Sequence, residues 1–258
     1  MASTSDLTST NTTKNKSSVS ETGHAKNVAN FQQLISFVTA YGATYNPTKA
    51  ALKLPQLTAL YTAAQTSLAD VVTKNTAYNN KVNERVVAFK NLKPLSTRLI
   101  NALQTTDAST QKIADAKGLN KKMQGVSDKT VETTTDPNAA APKTISTSQQ
   151  SYDQQIQHLA GIISVLQSEP SYAPNETELK IVTLTAKQTD LTAKNSAVAT
   201  AYTNISNSRI ARDTTIYRTD AGLFDIATEV KKYVKSVYGA TSPQFAQVKG
   251  IEFTNKKK

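Results

Sequence analysis

One polar constellation occurs twice in this chain. Tyr78, Asn80, Asn83 and Arg85 return 124 positions later as Tyr202, Asn204, Asn207 and Arg209. Residues three and four apart on a helix share a face. Tyr78, Val82, Arg85 and Phe89 then line one side of a helix, and Tyr202, Ile205, Arg209 and Asp213 or Ile216 line another. Such a face can hold an anion, with the guanidinium as anchor and the phenol and amides as hydrogen-bond donors. It can also be a buried polar layer that fixes the register of packed helices, which is the better attested use of polar residues in a helical seam. Either way the arginine needs a partner. Asp213 lies one turn from Arg209, whereas the first copy has no acid in the equivalent place.

Other reactive groups are sparse. The chain has no Cys, which excludes disulfides, thiol catalysis and thiolate metal sites. Its only histidines are His24 and His158, far apart in sequence, so no histidine metal site is expected. Glu176 and Glu178 could form a carboxylate pair for acid–base work. Their counterparts in the first copy are Lys49 and Ala51, however, so a solvated charged link is the simpler reading. There is no phosphate-binding loop, dinucleotide fingerprint or nucleophile elbow. No enzyme activity, cofactor or metal is expected.

The net charge of +11 is the remaining chemical signal. It is uneven, with +8 over residues 27–124 and +3 over residues 148–258. Lys49, Lys53, Lys74, Lys81, Lys90 and Lys93 run along the first copy, and Lys121, Lys122 and the terminal Lys256, Lys257 and Lys258 add local density. A basic surface favours nucleic acid or another polyanion. No sequence-reading motif accompanies it, so only nonspecific phosphate contact is in view. Solubility is the competing explanation of the charge.

These residues sit on a duplicated scaffold. Tyr45, Pro47, Leu52, Lys53, Leu57, Thr58 and Ala59 recur 127 positions on as Tyr172, Pro174, Leu179, Lys180, Leu184, Thr185 and Ala186, or 7 identities in the 15 positions 45–59. Ala108, Ala114, Lys117 and Gly118 recur at an offset of 132. Chance identity is roughly one position in fifteen. The reading is two tandem helical units, 27–124 and 148–251. A polar arm (1–26), a Thr/Ala/Pro-rich linker (125–147) and a basic tail (252–258) flank them.

Hydrophobic periodicity supplies the elements. Helices are predicted over 27–40, 55–91, 94–104, 110–123, 148–167, 182–218, 222–238 and 243–248. Pro55 suits a first helical turn. The two long helices carry rows at heptad spacing: Leu57, Ala64, Val71, Tyr78 and Arg85 in the first, with Tyr61, Leu68, Asn75, Val82 and Phe89 beside them. Leu184, Leu191, Val198 and Ile205 form the row of the second. Such rows predict coiled-coil-like packing. Ser146 and Thr147, with Gln149 and Gln150 beyond, resemble a capping box. The repeated Tyr-x-Pro link reads as a packed corner, its phenol bonded to nearby backbone.

Three runs, FQQLISFVTAYGATYNP (31–47), AYTNISNSRIAR (201–212) and KKYVKSVYGATSP (231–243), resemble a group of uncharacterised bacterial helical proteins with an internal duplication. The resemblance implies a bacterial source and brings no activity with it. The expected fold is all-α, an elongated bundle of tandem duplicated units. The expected function is a structural or interaction protein that binds itself or a protein partner. Polyanion binding and small-ligand binding at the Tyr/Asn/Arg layer are the alternatives. No apolar run spans a membrane, and a cytoplasmic location is expected.

Overall fold

The computed structural model describes residues 22–125 and 150–255. The described residues form helices and connecting turns, with no strand. The helices are α1 (Thr22–Ala40), α2 (Leu54–Phe89), α3 (Leu92–Gln104), α4 (Thr110–Gln124), α5 (Tyr152–Gln167), α6 (Ile181–Tyr217), α7 (Leu223–Tyr238) and α8 (Pro243–Lys249).

Local sequence explains most of the ends. Ser109, Ser151 and Ser242 cap α4, α5 and α8, each hydroxyl accepting the backbone N–H three residues on. Gly239 at φ +88 closes α7, in a region that L side chains avoid. Gly222 opens α7 for a different reason. A Cβ there would lie 2.6 Å from the Arg218 nitrogen, so only glycine fits the tight turn out of α6. The expected capping box at Ser146 and Thr147, and the linker from 126 to 147, lie outside the described residues.

The start of α1 corrects one expectation. Residues up to 26 read as an unstructured polar arm, yet α1 begins at Thr22. His24 and Asn27 are buried, at 2% and 1% exposure. The polarity of residues up to 26 made the segment look like an arm; the contact of His24 with Tyr217 places it in the fold, beside Asn27, which was read as the helix start and also bonds Tyr217.

The link after α1 and the link after α5 share one corner. Each enters its long helix through a 3₁₀ turn, Ala50–Leu52 and Thr177–Leu179, and the first link has a further 3₁₀ turn at Gly42–Thr44. The Tyr45 hydroxyl donates to the Leu52 carbonyl at 2.7 Å, and Tyr172 donates to the Leu179 carbonyl at 2.9 Å. Burial raises both phenols, Tyr172 to about 12. Each hydroxyl satisfies a carbonyl that the turn leaves outside a helix.

The chain divides into two compact units that do not follow its sequence halves. One joins residues 22–70 with 210–255; the other joins 71–125 with 150–209. The helix α2 is divided near its middle between the units, and α6 gives its last turns, from Ile210, to the first unit and the rest to the second. In the first unit α1 packs on α7 and α8; in the second α5 packs on α3 and α4. The buried faces are apolar stripes at helical spacing: Phe31, Leu34 and Val38 on α1, and Leu223, Val230 and Val234 on α7. Leu159, Ile162 and Leu166 on α5 meet Leu92, Leu99 and Leu103 on α3. Of the heptad rows, Leu57, Ala64 and Val71 are buried on α2, and Leu184, Leu191, Val198 and Ile205 on α6.

Candidate functional site

The second unit carries a polar groove on α2, α5 and α6. Within this unit α2 and α6 run antiparallel: Tyr78 meets Tyr202, ring centroids 5.9 Å apart, while Arg85 reaches back to Asn195. Arg85 Nη1 donates to Asn195 Oδ1 at 2.9 Å, and Asn195 Nδ2 donates to Asp153 Oδ1 at 2.7 Å. The guanidinium carbon stands 4.1 Å from the centre of the Tyr152 ring, a cation–π contact. Phe89 packs edge-on against the same ring at 4.7 Å. Arg85 Nε is buried and makes no hydrogen bond. The groove encloses about 480 Å³ beside Tyr78, Arg85, Asp153, Asn195, Ser196 and Tyr202.

The expected Tyr/Asn/Arg layer is thus only partly brought together. Tyr78, Arg85 and Tyr202 line the groove. Asn80, Asn83, Asn204 and Asn207 are exposed. Arg209 is half-buried, has interactions of its own and does not line the groove. Asn195, which bonds Arg85, and Asp153, which holds Asn195, were not singled out from sequence. A signal existed for one of them, because Asn195 stands one heptad before Tyr202 on α6.

The lysines considered for polyanion contact are mostly occupied. Lys81 pairs with Glu84 at 3.0 Å. Lys93 Nζ donates to the Gln124 carbonyl at 3.2 Å. Lys121 and Lys122 lie in the last turn of α4, where cations complement the helix dipole. Lys74 and Lys121 have further partners. Lys90 and Lys122 are exposed. The acidic residues of the second link are also used: Arg98 Nη1 binds Glu178 Oε2 at 2.7 Å, which holds the Glu178 carboxyl below its usual range. Glu169 is pulled to about 2 by hydrogen bonds from the Ser171 hydroxyl and Lys112.

The first unit holds a polar network that sequence reading missed. Arg212 is 1% exposed and donates through Nε and Nη2 to Asp213 Oδ1, at 2.9 and 2.8 Å. The row Leu184, Leu191, Val198 and Ile205 reaches Arg212 at its next heptad step, so the position was predictable as inward-facing. Close by in sequence, the Tyr217 hydroxyl lies 2.9 Å from His24 Nδ1 and accepts from Asn27 Nδ2 at 3.2 Å. Burial raises the Tyr217 phenol, and the Asn27 hydrogen bond acts against that. Asn27 also grips the C-terminal segment. Its amide donates to the Thr254 carbonyl at 2.8 Å, and its oxygen accepts the Thr254 N–H at 3.0 Å. Lys231 donates to the Ile251 carbonyl and stands 5.1 Å from the Phe253 ring centre. Burial lowers the pKa of its ammonium.

Among the described residues, no helix is long and apolar enough to cross a membrane, and no group of three or more His, Asp or Glu side chains could hold a metal ion. No family model, curated protein or solved structure matches the chain.

Proposed function

We propose that this is a non-enzymatic interaction protein, built from an internally duplicated helical unit, which binds itself or a protein partner through its long helices. The observation that carries this reading is the start of α2. From Leu54 to Ala69 there is no charged residue. Yet Thr58, Ala59, Thr62, Ala63 and Thr66 are exposed, along a shallow groove that ends at Asp70. Exposed helix faces ordinarily carry charge. Depletion of charge is the compositional mark of interface cores. Small side chains also let a second helix approach closely. The duplication is supported by the two corners, whose turns and tyrosine hydrogen bonds match.

The absence of native cysteine provides a clean test. A Thr62→Cys chain has one thiol, and under mild oxidation it is expected to form a disulfide-linked dimer at micromolar concentration, while an exposed control such as Gln111→Cys stays monomeric. Ala63→Arg on the Thr62→Cys background is expected to suppress the dimer several-fold. If Thr62→Cys stays monomeric by light scattering and by cross-linking, self-association through this face is wrong.

A second reading is favoured by the groove around Arg85, where a buried guanidinium nitrogen lacks a hydrogen bond. A small anionic ligand there would use Arg85 as anchor. Arg85→Ala separates this from a structural layer. Loss of the Asn195 bond and the Tyr152 contact is expected to cost about 1–2 kcal/mol in urea denaturation. A ligand site would show, in the variant and beyond that cost, loss of the thermal stabilisation that carboxylate or phosphate compounds give the unaltered chain.

A further inference from the structure

Each core of this chain is made from both of its halves. In the first unit, Phe31, Leu34 and Val38 from before the connection 126–149 are buried against Leu223, Val230 and Val234 from after it. In the second, Leu92, Leu99 and Leu103 from before are buried with Leu159, Ile162 and Leu166 from after. Each half keeps one local helix pair, α3 with α4 or α7 with α8, but neither half contains all the helices of either core. An amphipathic helix without its cover exposes its stripe, and most helical stability comes from tertiary packing of that stripe.

The corners add a rule of choice. In the first unit Lys49 of the link pairs with Glu229 of α7, at 2.6 Å. In the second, Glu178 of the link pairs with Arg98 of α3, at 2.7 Å. The helix positions match, since Glu229 precedes the buried Val230 as Arg98 precedes the buried Leu99. On the links the match is to within two residues: Lys49 corresponds to Glu176, and Glu178 to Ala51, but Glu176 also acts on the Arg98 guanidinium. The polarity is reversed between them. If each link packed on the helix of its own half, Lys49 would face Arg98, and Glu178 would face Glu229. Both encounters are repulsive. Like-charge encounters of this kind reject the wrong partner more than they tighten the right one.

We propose that residues 22–125 and 150–255 are mutually selective binding partners, each completing both cores of the other, and that the reversed corner pairs favour this cross-pairing over self-pairing. The covalent connection then raises effective concentration and is not needed for the packing. Its two ends are already together: Gln150 Nε2 donates to the Lys122 carbonyl at 2.7 Å, and its side chain lies against Gly125. The polarity argument rests on the duplication proposed above; the shared cores do not.

The test starts from the full chain with a specific protease site inserted between residues 137 and 138. After cleavage, the two pieces are expected to co-elute at the mass of the intact protein, with far-UV circular dichroism unchanged. They should part only in denaturant. Refolded separately, each should lose most of its helical signal, and mixing should restore it. Pieces that separate on cleavage alone, or that each regain native helicity apart, would overturn the partnership. Selectivity is read on the same cut protein. Glu178→Lys is expected to weaken reassociation about three- to tenfold, and adding Arg98→Glu to recover it. If the single reversal has no effect, or the double reversal recovers nothing, the corner pairs do not choose the partner. That result would leave the shared-core claim to the cleavage experiment.

Discussion

Asp213→Ala is expected to cost about 3 kcal/mol in urea denaturation followed by circular dichroism, because it removes a carboxylate from a buried guanidinium. Arg212 is the largest of the fully buried side chains, and two of its N–H groups point at Asp213 Oδ1. A guanidinium out of water depends on its counter-charge and hydrogen bonds far more than an exposed one does. The reverse substitution separates desolvation from packing. Arg212→Met fills similar volume without the charge and leaves Asp213, whose side chain is 37% exposed, to be hydrated. It is expected to cost about 1 kcal/mol or less, since replacing a buried charge by an apolar side chain is often near neutral. Arg212 has further contacts, so some loss is expected. Hydrogen exchange should place the Asp213→Ala effect in α6 after Ile210 and in α7. Equal losses for the two variants would mean that the ion pair itself stabilises the fold, and that desolvation is not the governing cost.

The comparison of sequence and structure separates local from non-local information. Helix ends were legible to within a few residues because glycine stops act within one turn: Gly239 needed no tertiary context. The serine caps were not singled out, and α5 starts at Tyr152, behind Ser151, and not at 148. The corner at Tyr45 and Tyr172 was legible for the same reason, since the phenol reaches only seven residues along the chain. Pairing was not legible. Periodicity says that α1 has an apolar stripe; it does not say that α7, two hundred residues on, covers it. The repeat made this harder, because α3 presents a stripe in the same register as α7 and lies in the same sequence half as α1. The polar sites divide in the same way. Arg85 was found through repetition, and Asn195 and Asp153 were missed because they lie on α6 and α5. Arg212 was missed because the repeat that marks Arg209 does not extend to it: its counterpart in the first copy is Ala88. His24 looked solvated, and Asn27 was read only as a helix start, because their partners, Tyr217 and Thr254, are contributed by residues two hundred positions on.

That far end provides the second large effect. The reading of residues 252–258 as a tail implied that truncation is harmless, and the docking of residues 251–255 implies otherwise. Ile251 is 5% exposed, and Phe253 packs partly buried against the same core. Burying one aliphatic side chain and half an aromatic one contributes about 3 kcal/mol. A chain ending at Gly250 is therefore expected to lose about 3–4 kcal/mol, read as a lower urea midpoint for α1 and α7 in hydrogen exchange, with α4 and α5 little changed. Asn27→Ala acts through the same contact and is expected to cost about 2 kcal/mol, because it leaves the Thr254 N–H and carbonyl without their partner. The two losses should not add. Once the segment is gone, Asn27 keeps only its bond to Tyr217, so the second substitution should cost under about 1 kcal/mol in the truncated chain. Additive losses would mean that Asn27 stabilises α1 through Tyr217 and that its grip on Thr254 contributes nothing. A large truncation effect alongside such additivity would assign the anchoring of the segment to Ile251, Phe253 and the Lys231 ammonium.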